Sequence, residues 1–99
     1  MKYIVTVHGN LKGSAEQARQ AHDAIITKIS PVGRQMGNTS HETFLNVQNS
    51  NEFFAVDTWN NLEAIQKLYS DPNLMVEFAT MFEGQPQVTV WSESGFMKF

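Results

Sequence analysis

Apolar and polar positions along this chain follow two different rhythms. Lys2 to His8 is a β-branched and aromatic run that stops at Gly9-Asn10, which predicts a strand followed by a loop. Its near-continuous apolar character predicts cover on both faces. Beyond Ser14 the period lengthens. Ala15, Ala18, Ile25, Ile29 and Val32 recur at helical spacing with His22 in the same stripe, while Glu16, Arg19, Asp23 and Lys28 lie off it. Ser14 and Gln17 have the spacing of a capping box. Ser30-Pro31 predicts an end or a bend in this helix, and Gly37-Asn38 a turn beyond it.

Period-two segments return next. His41 to Gln48 alternates loosely and Glu52 to Trp59 is strongly β-prone, with Asn49-Ser50-Asn51 as the expected hairpin turn. In the second of these strands Phe53, Ala55, Asp57 and Trp59 share one face, and Phe54, Val56 and Thr58 the other. Asn60 is the expected cap of the following helix, with Glu63 as its reciprocal partner and Leu62, Ile65, Leu68 and Tyr69 turned inward. Asp71-Pro72 restarts the helix, and Leu74, Met75, Phe78 and Phe82 trace its apolar stripe to about Glu83-Gly84. Pro86 to Glu93 is the last strand, with Val88 and Val90 on one side and Trp91 on the other; the tail from Ser94 to Phe99 is rich in large apolar residues.

The order strand–helix–strand–strand–helix–strand predicts one α+β domain over residues 1–99: a four-stranded antiparallel sheet with helices on one face, the ferredoxin-like βαββαβ sandwich. The helix-free face would carry Phe, Val and Leu side chains. Monomers rarely leave so large an apolar patch open. Two sheets packed face to face would bury it, so the expected assembly is a homodimer, with the apolar tail able to cross onto the partner.

Composition narrows the function. An apolar content of 41% and a charged content of 17% argue against disorder. The net charge of −3, with Lys and Arg unclustered, gives no footprint for nucleic acid. Without cysteine the chain has no disulfide, thiolate metal site or cysteine nucleophile. The apolar run from Tyr3 to Val7 is too short for the core of a signal peptide, and no segment is long enough to span a membrane, so the expectation is a cytoplasmic protein without membrane contact. The three histidines are too dispersed to announce a metal site.

Nearly the whole chain resembles, in element order, the dimeric α+β barrel superfamily, and most of all its antibiotic biosynthesis monooxygenase-like members. The resemblance is carried by Gly37 before the second strand, the hairpin, the strand closing on Trp59, the helix with Glu63-Ala64-Ile65, the break Tyr69-Ser70-Asp71-Pro72 and the segment from Phe82 to Trp91. It implies cofactor-free oxidation of phenolic or quinol-like compounds, as in some members, and a ligand cavity between helices and sheet. Many members carry a histidine near the position of Leu68. This chain has none after His41, which also argues against the haem-degrading branch.

Within such a cavity His22 is the candidate base. A neutral imidazole there can take a proton from an acidic phenol or an activated methylene; the plain alternative is a core histidine bonded locally. Asp57, on the face shared with Phe53 and Trp59, is the orienter or alternative base, or else a carboxylate satisfied by donors at a strand end. Trp59, Tyr69, Phe78 and Trp91 are candidates to stack on a planar ligand, or simply core. Asn10 could orient a substrate oxygen, although Asn after a strand is commonly a turn residue. His41 at a strand start and His8 at a strand end are weaker candidates. Neither a phosphate-cradling loop nor a serine-nucleophile elbow is present. The leading expectation is a cofactor-independent monooxygenase acting on a small aromatic (phenol, quinol or polyketide-like) substrate. The rival is a non-catalytic dimeric small-ligand binding or stress-associated protein.

Overall fold

Seven elements follow one another in the structure, a computed structural model describing residues 1–99: β1 (Tyr3–Leu11), α1 (Ala15–Met36), β2 (Asn38–Asn46), β3 (Asn49–Trp59), α2 (Leu62–Tyr69), α3 (Pro72–Ala79) and β4 (Phe82–Ser92). The strands form one antiparallel sheet in the order β2-β3-β1-β4. This is the ferredoxin-like arrangement expected from the sequence, with its second helical region split into α2 and α3. No helix is long and apolar enough to cross a membrane.

Local chemistry accounts for most boundaries. Ser14 and Gln17 form the reciprocal capping box that opens α1. Asp71 accepts from the Asn73 N–H ahead of Pro72 and so restarts the chain as α3. Several expectations are corrected. Pro31 does not end α1. The helix continues to Met36 and stops only at Gly37, which takes a left-handed φ of 114° and donates its N–H back to Arg34 and Gly33. A side chain at Gly37 would also run into Asn60, whose N–H bonds the Gly37 carbonyl at 3.0 Å. The cap of α2 is Asn61, bonded to the Ala64 N–H, and not Asn60. The hairpin turns at Val47-Gln48, so Asn49 to Asn51 belong to β3. Phe82 begins β4; it is not part of a helical stripe. Val32, expected on the inner stripe of α1, is exposed; Gly33 is the buried residue there.

Helices cover one face of the sheet only. Against them pack two clusters, one of Leu11, Ala18, Ile25, Phe53, Ala55, Met81 and Phe82, the other of Val5, Trp59, Ala64 and Ile65. Asp57 stands on β3 between Ala55 of the first and Trp59 of the second, and is itself buried. On the opposite face Phe44 and Phe54 are directly paired across β2 and β3, and they and Trp91 are 50%, 40% and 53% exposed. The sided-ness read from the alternation of Phe53 to Trp59 is therefore the observed one.

Candidate acid–base site

One irregularity of the sheet decides the chemistry of its inner face. Asn38 pairs with Trp59 but Ser40 pairs with Thr58, so Thr39 is an extra residue in β2. A bulge of this kind reverses the parity of everything beyond it. His41, Thr43 and Leu45 consequently face the helices, with His41 directly opposite Asp57.

From that register a continuous hydrogen-bonded line follows. Tyr69, at the end of α2, donates its hydroxyl to Asp57 Oδ2 at 2.9 Å. Asp57 Oδ1 is bonded by His41 Nδ1. His41 Nε2 meets His22 Nε2, from α1, at 2.8 Å, and His22 Nδ1 meets Asp23 Oδ1 at 3.0 Å. The two imidazole planes lie 16° apart with centroids 5.0 Å apart. The N–N separation plus the two nitrogen-to-centre radii accounts for that spacing, so the rings meet edge to edge along one N–H···N axis. Burial, followed by the adjacent Asp57 carboxylate, pushes the Tyr69 phenol far above its ordinary value of 10.0; it stays protonated and can only donate to Asp57. At the other end the His22 hydrogen bond, reinforced by its charge and that of Arg19, holds the Asp23 carboxyl below its usual range.

Cavities flank this line unevenly. At the His22 end a cleft of about 370 Å³ opens between α1 and β2, walled by Leu11, Ala18, Leu45, Phe53 and Met81, with Arg19, Asp23 and Thr43 among its polar groups. Its volume and apolar lining suit a small ring compound. Around His41, Asp57 and Tyr69 the space shrinks to voids of about 20 and 40 Å³, too small for one. A second open groove of about 420 Å³, between α3 and β4, reaches Tyr69 from the far side.

The structure thus brings His22, His41, Asp57 and Tyr69 into one hydrogen-bonded line, and none of the other candidate residues named from the sequence is bonded into it. Trp59 and Phe78 line the inner voids, not the open cleft. The indole N–H of Trp59 is buried without a partner. Trp91 lies on the helix-free face, its N–H bonded to Thr6 Oγ at 2.9 Å, and Asn10 is exposed opposite Glu52. His8 binds Glu52 at 2.7 Å, away from the cleft. Two members escape sequence reasoning: Asp23, whose clue is an acidic residue beside the histidine on the inner stripe of α1, and the Tyr69 hydroxyl, legible only as an aromatic ring.

No protein-family model matches the sequence, and no curated protein matches it at the sequence level. Solved structures do match. SnoaB, a cofactor-independent oxygenase from Streptomyces nogalater, superposes with a TM-score of 0.76 at 9% identity, covering 97% of this chain and 96% of its own. Rv0793 from Mycobacterium tuberculosis gives 0.68 at 16% identity, covering 99% and 100%. An antibiotic biosynthesis monooxygenase gives 0.68 at 10% identity, covering 95% and 99%. The chain has the antibiotic biosynthesis monooxygenase-like fold. Coverage of both partners is nearly complete, so the likeness is to that fold from end to end. At these identities it concerns the backbone path; what a chain of this fold does with its cleft depends on the side chains placed there.

Proposed function

We propose that this protein is a cofactor-independent oxygenase of a small, electron-rich aromatic compound, with His22 as the proton acceptor at the wall of the 370 Å³ cleft. The observation that carries the reading is the acid–base line itself: an imidazole at an apolar cleft, backed through a second imidazole by a buried carboxylate. The fold shared with a cofactor-independent oxygenase supports it. Removing a proton from a phenol with an activated ring methylene leaves an anion able to reduce dioxygen directly. In the balanced reaction the methylene becomes a carbonyl, one oxygen atom enters the product and the other leaves as water. The substrate supplies all four electrons. An apolar cleft favours this by holding the reactants together and limiting competing hydrolysis.

Oxygen uptake over a panel of phenols and quinols is the test. His22→Ala is expected to lower kcat/KM by about 100-fold or more on any substrate that the native protein oxidises. Equal turnover by the variant would remove His22 from the role of base. A second reading is favoured by the small volume around His41 and Asp57: a binding protein that holds a ring in the outer cleft without transforming it. It prevails if panel members perturb the His22 ring but consume no oxygen.

The functional unit in this proposal is a homodimer joined through the helix-free face, since Phe44, Phe54 and Trp91 present an apolar surface there. Sedimentation at micromolar concentration should return twice the 11.2 kDa chain mass. Phe54→Lys is expected to shift it to the mass of one chain; an unchanged dimer would place the interface elsewhere.

A further inference from the structure

Hydrogen-bond complementarity along the line fixes where its protons sit. Asp57, ionised, can only accept, and it receives the Tyr69 hydroxyl on one oxygen and His41 Nδ1 on the other. His41 Nδ1 therefore carries hydrogen. In the same way His22 Nδ1 carries hydrogen when it bonds the Asp23 carboxylate. The Nε2–Nε2 contact of 2.8 Å also requires one hydrogen, because two bare lone pairs or two N–H groups would repel at that distance. Four nitrogens then hold three protons: the pair carries one positive charge, shared across the central bond, and has no room for a fourth proton while that bond lasts.

Charges around the pair fit this count. Asp57 faces it from β3 and Asp23 from α1. Arg19 lies 3.4 Å from the Asp23 carboxylate and is itself tied to Glu16 at 2.6 Å. The Tyr69 phenol is the group presented by α2. The remaining wall, including Val7, Phe53, Phe78 and Met81, is apolar. Asp23 is 58% exposed whereas the His22 side chain is 12% exposed, so when Asp23 swings into solvent the Nδ1 proton can pass to water at that end and leave the nitrogen bare toward the cleft.

From this geometry we infer that His41 is a proton-relay residue: a proton accepted at His22 Nδ1 is matched by transfer of the Nε2 hydrogen from His22 to His41, so that the positive charge comes to rest against Asp57. The accepting form is the pair after its Nδ1 proton has left to solvent at the Asp23 end. In that form His22 carries hydrogen on Nε2, His41 on Nδ1, and His22 Nδ1 offers a lone pair. After the step the substrate is an anion, His22 is neutral with hydrogen on Nδ1, and His41 is an imidazolium bonded to Asp57. One proton has left the substrate, one has crossed between the rings, and no other bond has changed. Asp23 then closes on the new N–H. Reversal of the same two transfers returns a proton to the reduced oxygen that leaves as water. The exchange withdraws the charge from the cleft wall to the buried side.

This inference rests on the oxygenase reading for its substrate, but its central feature is measurable without one. In the native, 15N-labelled chain the two Nε2 nuclei should show a mutual scalar coupling across the hydrogen bond, with both Nδ1 nuclei in the protonated range. In Asp57→Asn the His22 Nε2 signal should shift although Asp57 bonds only His41 of the pair. Absence of the coupling, or a His22 signal indifferent to Asp57→Asn, overturns the relay. With a substrate in hand, His41→Gln should lower kcat at least about tenfold with KM unchanged, because glutamine cannot take the second proton and His41 does not line the open cleft. A raised KM with kcat retained overturns it as well. A panel in which nothing is oxidised, alongside an intact N–N coupling, would defeat the oxygenase reading and leave the shared proton standing.

Discussion

Trp59→Ala is expected to destabilise the fold by ~3–5 kcal/mol, enough to threaten a domain of this size. Trp59 is 2% exposed, the largest of the fully buried side chains, and it fills the second core cluster between Val5, Ala64 and Ile65. The void of about 40 Å³ already beside it means that the space opened by truncation would merge with one that the surroundings have failed to close. Trp59→Phe should be much milder, under ~2 kcal/mol, and the reason is specific. The indole N–H has no partner, so the change removes an unsatisfied buried donor together with the lost apolar contact, and the two effects oppose each other. Urea unfolding followed by far-ultraviolet dichroism measures both, since Trp91 would confuse a fluorescence signal. Equal losses for Ala and Phe would show that the hydrogen-bonding end of the indole matters after all.

The same residue illustrates what the amino-acid order makes legible. Phe53, Ala55, Asp57 and Trp59 declare a buried face by strict alternation, and Ser14 with Gln17 and Asp71 with Pro72 declare helix starts by local hydrogen bonding; these depend on neighbours in sequence. The hairpin turn lies outside that reach. Asn49 to Asn51 are good turn residues that the β2–β3 pairing nonetheless draws into the strand, leaving Val47 exposed at the turn. Pro31 obeys a strong local rule for a helix stop, yet α1 runs past it and ends only at the left-handed cap of Gly37.

The site is half legible for a different reason. His22 and Asp57 can be named from their faces alone. Their connection cannot, because they are not bonded to each other: His41 joins them, and His41 faces inward only by virtue of the extra residue at Thr39. Unbulged pairing would turn His41 to the helix-free side and leave Asp57 without its imidazole partner. A one-residue irregularity therefore separates a buried carboxylate bonded only to Tyr69 from a five-member acid–base line, and periodicity carries no mark of it.

Asp57→Ala should strip the line of its anchor and cost ~3–5 kcal/mol in stability, comparable to the core truncation although far fewer atoms are removed. The cost arises from what remains: the His41 Nδ1 hydrogen and the Tyr69 hydroxyl would both point into a space without an acceptor. Asp57→Asn should cost only ~1–2 kcal/mol, because the amide oxygen can accept from His41 while its NH2 donates to a Tyr69 oxygen that reverses its role. Tyr69→Phe adds a signature in pH. The native phenol is held protonated well above its ordinary value of 10.0, by burial first and by Asp57 second, while the unfolded phenol ionises near that value. Above about pH 10 the unfolded chain thus binds fewer protons than the native one, and stability must fall with rising pH by up to ~1.4 kcal/mol per unit for this one group. Tyr69→Phe should abolish that component of the alkaline slope, and Asp57→Ala should reduce it by withdrawing the negative charge beside the ring. Urea melts of the native chain and these variants on either side of pH 10 decide the matter. A slope that survives Tyr69→Phe unchanged would mean that the phenol ionises freely, and that the Tyr69–Asp57 contact does not hold the buried end of the line.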